Sequence, residues 1–181
     1  MGMSRLQPGL VQVYTGPGKG KTSAALGATW RALGAGLRVY FLQFLKGGIA
    51  PSEQALAERF SPDLVFRNLG HPASAELLRG EPTELDRRLA AEAWEIARGI
   101  LTDPHWDLVV LDEVNNTLHL GLVPVEDLLA ALHARPRGME VICTGRHAPP
   151  ALIEFADLVT EMAMVKHPYE QGQEARRGVD Y

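Results

Sequence analysis

Three short stretches carry side chains whose types and spacing could do chemistry. The first is "TGPGKGKT", Thr15 to Thr22. Gly16, Gly18 and Gly20 permit close backbone approach, so successive N–H groups can point at phosphate oxygens. Lys21 can reach those oxygens as a mobile point charge, and Thr22 can offer its hydroxyl to a magnesium ion. The second is "DE", Asp112 and Glu113, closing the apolar run "WDLVVL". Acids at such a strand end hold Mg²⁺ directly or through water. The third is "TGR", where Arg146 could clamp phosphate oxygens bidentately. Each has a plainer alternative: a glycine turn with a solvent-facing lysine, an ordinary acidic strand end, a surface salt bridge. The first stretch also departs from the phosphate-binding pattern G-x-x-x-x-G-K-[ST], because Thr15 stands where the first glycine belongs.

These residues need elements to position them. "GLVQVYTG" reads as a short buried strand and "KTSAALGATWRALGAG" as the helix after it, closed by Gly34 or Gly36. "LRVYFLQF", "DLVFRNL", "WDLVVLDEV" and "MEVICTGR" read as further strands. "PSEQALAERF", "VEDLLAALHAR" (introduced by Pro124) and "PPALIEFA" read as helices, the last preceding "DLVTEM". A long helix runs from a Thr83 cap to about Leu101, with Leu85, Leu89, Ile96 and Ile100 as its apolar stripe. Asp86 stands where a full capping box carries the longer Glu or Gln, so half of that motif is expected. Trp94 falls about half a turn from Leu85, which leaves it to a second neighbour or to a subunit or ligand contact. "GHPASAELLRGEP" reads as a loop and the tail "VKHPYEQGQEARRGVDY" as irregular.

Strands and helices thus alternate, which predicts a mainly parallel sheet with helices on both faces. Ligands of such sheets bind beyond the carboxyl ends of the strands, where all three reactive stretches fall. The 181 residues suit one domain spanning 1–181, and the composition of 46% hydrophobic and 22% charged residues is globular. No apolar run approaches the roughly 20 residues of a membrane span, and "MGMSRLQPGL" lacks a signal-peptide core. A cytoplasmic protein without membrane association is expected. The net charge of −4 disfavours a nucleic-acid partner. Cys143 is the single cysteine and lies in an apolar strand, which suits a small core residue. The histidines show no metal-ligand spacing.

Taken in order, "YTGPGKGKTSAALGATWRALGAG", "QFLKG", "WDLVVLDEV", "TGRHAPPALIEFADLVTEM" and "VKHPYEQGQEARRGVDY" strongly resemble the ATP:corrinoid adenosyltransferases, from about residue 10 to the C-terminus. The resemblance implies a P-loop NTPase-like, RecA-like α/β fold. It implies attack of a cobalt(I) corrinoid on the ribose C5′ of ATP with loss of inorganic triphosphate. ATP then lies across the loop in reversed sense, and Thr15 is a family trait. By the same resemblance the ATP-binding residues are Gly16, Pro17, Gly18, Lys19, Gly20, Lys21, Thr22, Ser23, Arg31 and Arg146. Thr22 and Glu113 match the Mg²⁺ positions, with Asp112 behind them. A homodimer and a transient corrinoid reductase are further implications.

Two positions depart from the family pattern. Pro17 replaces a common asparagine, removing a side-chain amide and a backbone N–H. The loop before the long helix lacks the usual Phe and Trp that face the corrin, leaving Leu77, Leu78 and His71 as wedges. Cobalt supplies the nucleophile, so no catalytic side chain is required. The rival readings are a RecA-like ATPase acting on nucleic acid or a protein partner, and a non-catalytic carrier of nucleotide or corrinoid.

Overall fold

The structure is a computed structural model that describes residues 6–47, 52–70, 81–168, 172, 173, 176, 178 and 179. Six parallel strands form one sheet in the order β3-β2-β4-β5-β1-β6. They are β1 Val11–Thr15, β2 Val39–Phe44, β3 Leu64–Leu69, β4 Leu108–Asp112, β5 Glu140–Thr144 and β6 Leu158–Glu161. The helices are α1 Lys21–Gly34, α2 Ser52–Ala57 (continued by a 3-10 turn, Glu58–Phe60), α3 Glu84–Leu101, α4 Val114–His119, α5 Val125–Ala134 and α6 Pro150–Phe155.

The near-continuous apolar runs of β2 and β4 are buried at every position, as central parallel strands must be when both faces are covered. Period-two alternation then sorts their side chains between two cores. Tyr40, Leu42, Phe44, Val109 and Leu111 join Val11, Val13, Val141 and Cys143 on the face that packs against α3, α5 and α6. Val39, Phe41, Leu108, Val110 and Ile142 point the other way, onto Ala25 and Ala32 of α1. The same parity, carried to the strand ends, sends Gln43, Asp112 and Thr144 towards α1.

Helix ends follow local chemistry. Gly36 has φ +70 and closes α1, with Leu37 N–H donating to the Ala32 carbonyl at 2.9 Å and Gly36 N–H to that of Leu33 at 2.9 Å. Of the two glycines open to that role, Gly36 therefore takes it, in the hydrogen-bond pattern of a left-handed helix stop. At the start of α3 the capping box is complete, contrary to the half motif expected. Asp86 N–H donates to Thr83 Oγ1 at 3.2 Å, and Thr83 N–H donates to Asp86 Oδ2 at 2.9 Å. The shorter carboxylate spans the gap unaided.

The inner face of α3 also differs from the leucine stripe. Its buried residues are Asp86, Ala90, Ala93, Trp94, Ala97, Ile100 and Leu101, whereas Leu85, Leu89 and Ile96 are half-buried at its borders. Small Ala90, Ala93 and Ala97 share that buried face with the bulky Trp94, Ile100 and Leu101. Trp94 belongs to the core that includes Leu128 and Leu132 of α5, so a second neighbour within the chain covers it. Two elements went unread in the sequence: β6, four residues at the sheet edge, and α4, six residues with Val114 to Leu118 all buried. A helix buried on all sides has no amphipathic period to betray it.

Candidate nucleotide and metal site

The loop from Gly16 to Gly20 joins β1 to α1 at the carboxyl edge of the sheet. Gly16 has φ +94 and Gly20 φ +119, conformations that suit glycine. Close approach inside the chain is a second reason for the glycines. A Cβ on Gly16 would lie 2.6 Å from the Met162 carbonyl oxygen, and one on Gly18 would lie 2.6 Å from those of Met162 and Ala163. Gly18 N–H donates to the Met162 carbonyl at 2.7 Å, so the chain leaving β6 is sewn along the loop. Thr15 Oγ1 accepts from the Ala148 N–H at 3.3 Å and so ties the end of β1 to the loop after β5. A glycine could not make this bond.

Lys21 opens α1 and is buried, its Nζ donating to the carbonyls of Gly16 at 2.8 Å and Gly18 at 2.7 Å. The ammonium thus lies in the hollow of the loop, beside the amides of the first turn of α1, where the helix dipole also favours an anion. Burial pulls the Lys21 pKa below its ordinary value, against the charges of Glu113 and Asp112.

Sheet register builds the neighbouring cluster. Gln43 of β2 pairs with Asp112 of β4, and both lie on the α1 face with Thr144 of β5. Asp112 is fully buried and accepts from Gln43 Nε2 at 3.1 Å and Thr144 Oγ1 at 2.5 Å. From α1, Thr22 Oγ1 donates to Asp112 Oδ1 at 2.9 Å. Lys46, just past β2, brings its Nζ to 2.8 Å from Asp112 Oδ2, 2.9 Å from Thr22 Oγ1 and 4.0 Å from Glu113 Oε1. Burial opposes the Lys46 charge, but Asp112, Glu113 and the hydrogen bond to Asp112 hold its pKa above the ordinary lysine value.

Glu113 ends the strand with φ +66, a left-handed conformation that costs a non-glycine residue about 1–2 kcal/mol. That turn swings its carboxylate off the sheet and starts α4. Its N–H donates to Thr144 Oγ1 at 3.1 Å, and Asn116 Nδ2 donates to its Oε2. Burial, followed by the adjacent Asp112 charge, pushes the Glu113 carboxyl above its usual range.

A hydroxyl and two carboxylates are hard oxygen donors of the kind Mg²⁺ prefers. Among the described residues no group of three or more His, Cys, Asp or Glu forms a metal cage. The donor set fits an ion shared with substrate phosphates, the usual arrangement for Mg²⁺. Thr22, with Glu113 and Asp112, would hold it.

The remaining sequence candidates divide. Arg146 is exposed after β5, and its charge reaches Lys21. Pro17, Lys19 and Ser23 are exposed on the loop and first turn, and Lys19 Nζ donates to the Val179 carbonyl at 3.2 Å, bringing the tail back to the loop. Arg31 is exposed in the last turn of α1, about 15 Å along the axis from Lys21. Its charge is felt by Tyr14. Leu77, Leu78 and His71 lie outside the described residues. Lys46 was missed as a site residue, although "QFLKG" places it at a strand end, which is the signal that could have found it. Elsewhere, the rings of His119 and His147 stack with centroids 4.4 Å apart beside a pocket of about 590 Å³ also lined by Val123, Pro124 and Pro149.

Fold and site together define a parallel α/β protein with a glycine- and lysine-rich loop at the carboxyl edge of its sheet. The family model described as ATP:corrinoid adenosyltransferase BtuR/CobO/CobP matches residues 7–181. The chain belongs to this family. It is 39% identical to a corrinoid adenosyltransferase of Pseudomonas aeruginosa over 98% of this chain and 86% of that one. It is 35% identical to the corrinoid adenosyltransferase CobA of Salmonella typhimurium over 96% and 86%. The solved structure of flagellar accessory protein FlaH from Methanocaldococcus jannaschii is similar with a TM-score of 0.61 at 13% identity, covering 86% of this chain and 72% of that one, and shows the fold alone.

Proposed function

We propose that the protein transfers the 5′-deoxyadenosyl group of Mg·ATP to the cobalt(I) of a reduced corrinoid and releases inorganic triphosphate, in cobalamin biosynthesis or salvage. The observation that carries this reading is the convergence of Lys21 and Lys46 with Thr22, Asp112 and Glu113 at one sheet edge, in a chain of this family. Transfer forms a Co–C5′ bond from the cobalt electron pair and breaks the C5′–O5′ bond, whose pair leaves with triphosphate. The protein must align the reacting atoms and neutralise a highly charged leaving group, because the corrinoid brings the nucleophile. Lys21 and the amides of the first turn of α1 hold the phosphate chain in the loop. Thr22 and Glu113 would hold Mg²⁺, which would supply charge neutralisation there, and Asp112 keeps the Thr22 hydroxyl in place. Arg146 adds positive charge from the turn after β5.

On the family likeness we further propose Leu77, Leu78 and His71 as the corrin-facing wedge, a cytoplasmic homodimer and a transient reductase. Adenosylation is tested by mixing the protein with Mg·ATP and chemically reduced cob(I)alamin under anaerobic conditions. The expected result is the light-sensitive spectrum of an alkylated corrinoid. A cob(I)alamin spectrum that persists with folded protein would reject the reading.

A further inference from the structure

Lys46 is the residue the phosphate-loop pattern leaves unexplained. Its ammonium lies between Asp112 Oδ2 at 2.8 Å, Thr22 Oγ1 at 2.9 Å and Glu113 Oε1 at 4.0 Å, the same three side chains whose oxygens suit a divalent ion. The backbone beneath it is pinned. Leu45 has φ +56, and Gly70 at the end of β3 packs so closely that a Cβ there would lie 2.3 Å from Lys46 backbone atoms. Asp112 itself is held from both neighbouring strands by Gln43 and Thr144. The oxygen cluster is therefore rigid, while the four-carbon stem of a lysine is the adjustable part.

We propose that Lys46 is a built-in counter-cation that holds the divalent-ion position and must be displaced from it when the metal enters. An ammonium and a doubly charged ion within a few ångström repel each other strongly, so one oxygen cluster does not hold both. In the protein alone, the ammonium keeps the affinity for free metal low. A phosphate chain in the loop offers Lys46 new oxygen partners and gives the metal additional ligands. Metal then enters with the polyphosphate. This deepens the proposed Mg·ATP site and rests on that reading for the metal position, but not on adenosyl transfer. Lys46 acts here as a positioning residue for metal and phosphate.

The test uses Mn²⁺ as the probe, with free ion counted by electron paramagnetic resonance and neither corrinoid nor turnover involved. Lys46→Met should bind Mn²⁺ in nucleotide-free protein at least about tenfold more tightly than wild type, since one positive charge a few ångström away is gone. Lys46→Arg should stay near wild type. Inorganic triphosphate should narrow the gap between wild type and Lys46→Met. Unchanged or weaker Mn²⁺ binding by folded Lys46→Met overturns the proposal, and so does equal tightening by Lys46→Arg, because the effect would then not be charge. A second measurement needs only wild-type protein: the ¹⁵Nζ resonance of Lys46 should move on titration with Mg²⁺ alone to high concentration. A resonance that stays fixed while metal binds also overturns it. Absence of adenosylation with the Mn²⁺ results as expected would instead count against the functional reading alone.

Discussion

Lys21 sits in the hollow of the glycine loop, where its ammonium donates to the carbonyls of Gly16 and Gly18, and under the proposed function it meets the phosphate chain there. Lys21→Ala should weaken ATP binding and turnover together, because the lost charge is felt in both ground and transition states. A charge-assisted contact of about 1.5–3 kcal/mol corresponds to a loss of roughly ten- to hundredfold, measured by calorimetric titration of Mg·ATP. Unchanged affinity would remove Lys21 from the site. Gly18 makes a different prediction. Alanine there meets carbonyl oxygens of Met162 and Ala163 at 2.6 Å, so Gly18→Ala should destabilise the protein by about 1–3 kcal/mol in urea unfolding. Wild-type stability would mean that the segment after β6 yields freely. At this scale the sequence was legible where backbone geometry demands a residue type, as at Gly16 and Gly20. It was illegible where a side chain acts across the sheet. Thr15 bonding to Ala148, and Lys46 reaching Thr22 and Asp112, both depend on strand order, which local spacing does not contain.

At the scale of elements, period-two alternation in β2, β4 and β5 delivers Gln43, Asp112 and Thr144 to one face, and α1 then delivers Thr22 to them. The strands and α1 could be read from their apolar runs and glycine punctuation. The short α4, buried from Val114 to Leu118, and the exposed four-residue β6 could not, because neither has a period to detect. Helix α3 shows a subtler limit. Its leucines suggested the buried stripe, yet Leu85 and Leu89 are only half-buried and Ala90, Ala93 and Ala97 take fully covered positions. Ala97 is fully buried, so Ala97→Leu should overpack this face and cost about 1–3 kcal/mol in thermal or urea unfolding. A neutral substitution would show slack between helix and sheet that the present packing denies.

For the whole molecule, strand order brings the ends of β1, β2, β4 and β5 to a single edge, so residues far apart in the sequence share one anion-and-cation site. Under the proposed function, that assembly neutralises a polyphosphate and holds a divalent ion. In an ordinary nucleotide hydrolase the same parts would serve attack on a phosphorus atom. Under the function proposed here, attack falls on the ribose carbon and the whole triphosphate is the leaving group. The two chemistries leave different phosphorus products. The most direct measurement is therefore ³¹P nuclear magnetic resonance of the completed reaction of the protein with Mg·ATP and reduced cob(I)alamin. Inorganic triphosphate equimolar with adenosylated corrinoid is the expected result. Accumulation of ADP and phosphate, with the corrinoid unalkylated, would contradict adenosyl transfer.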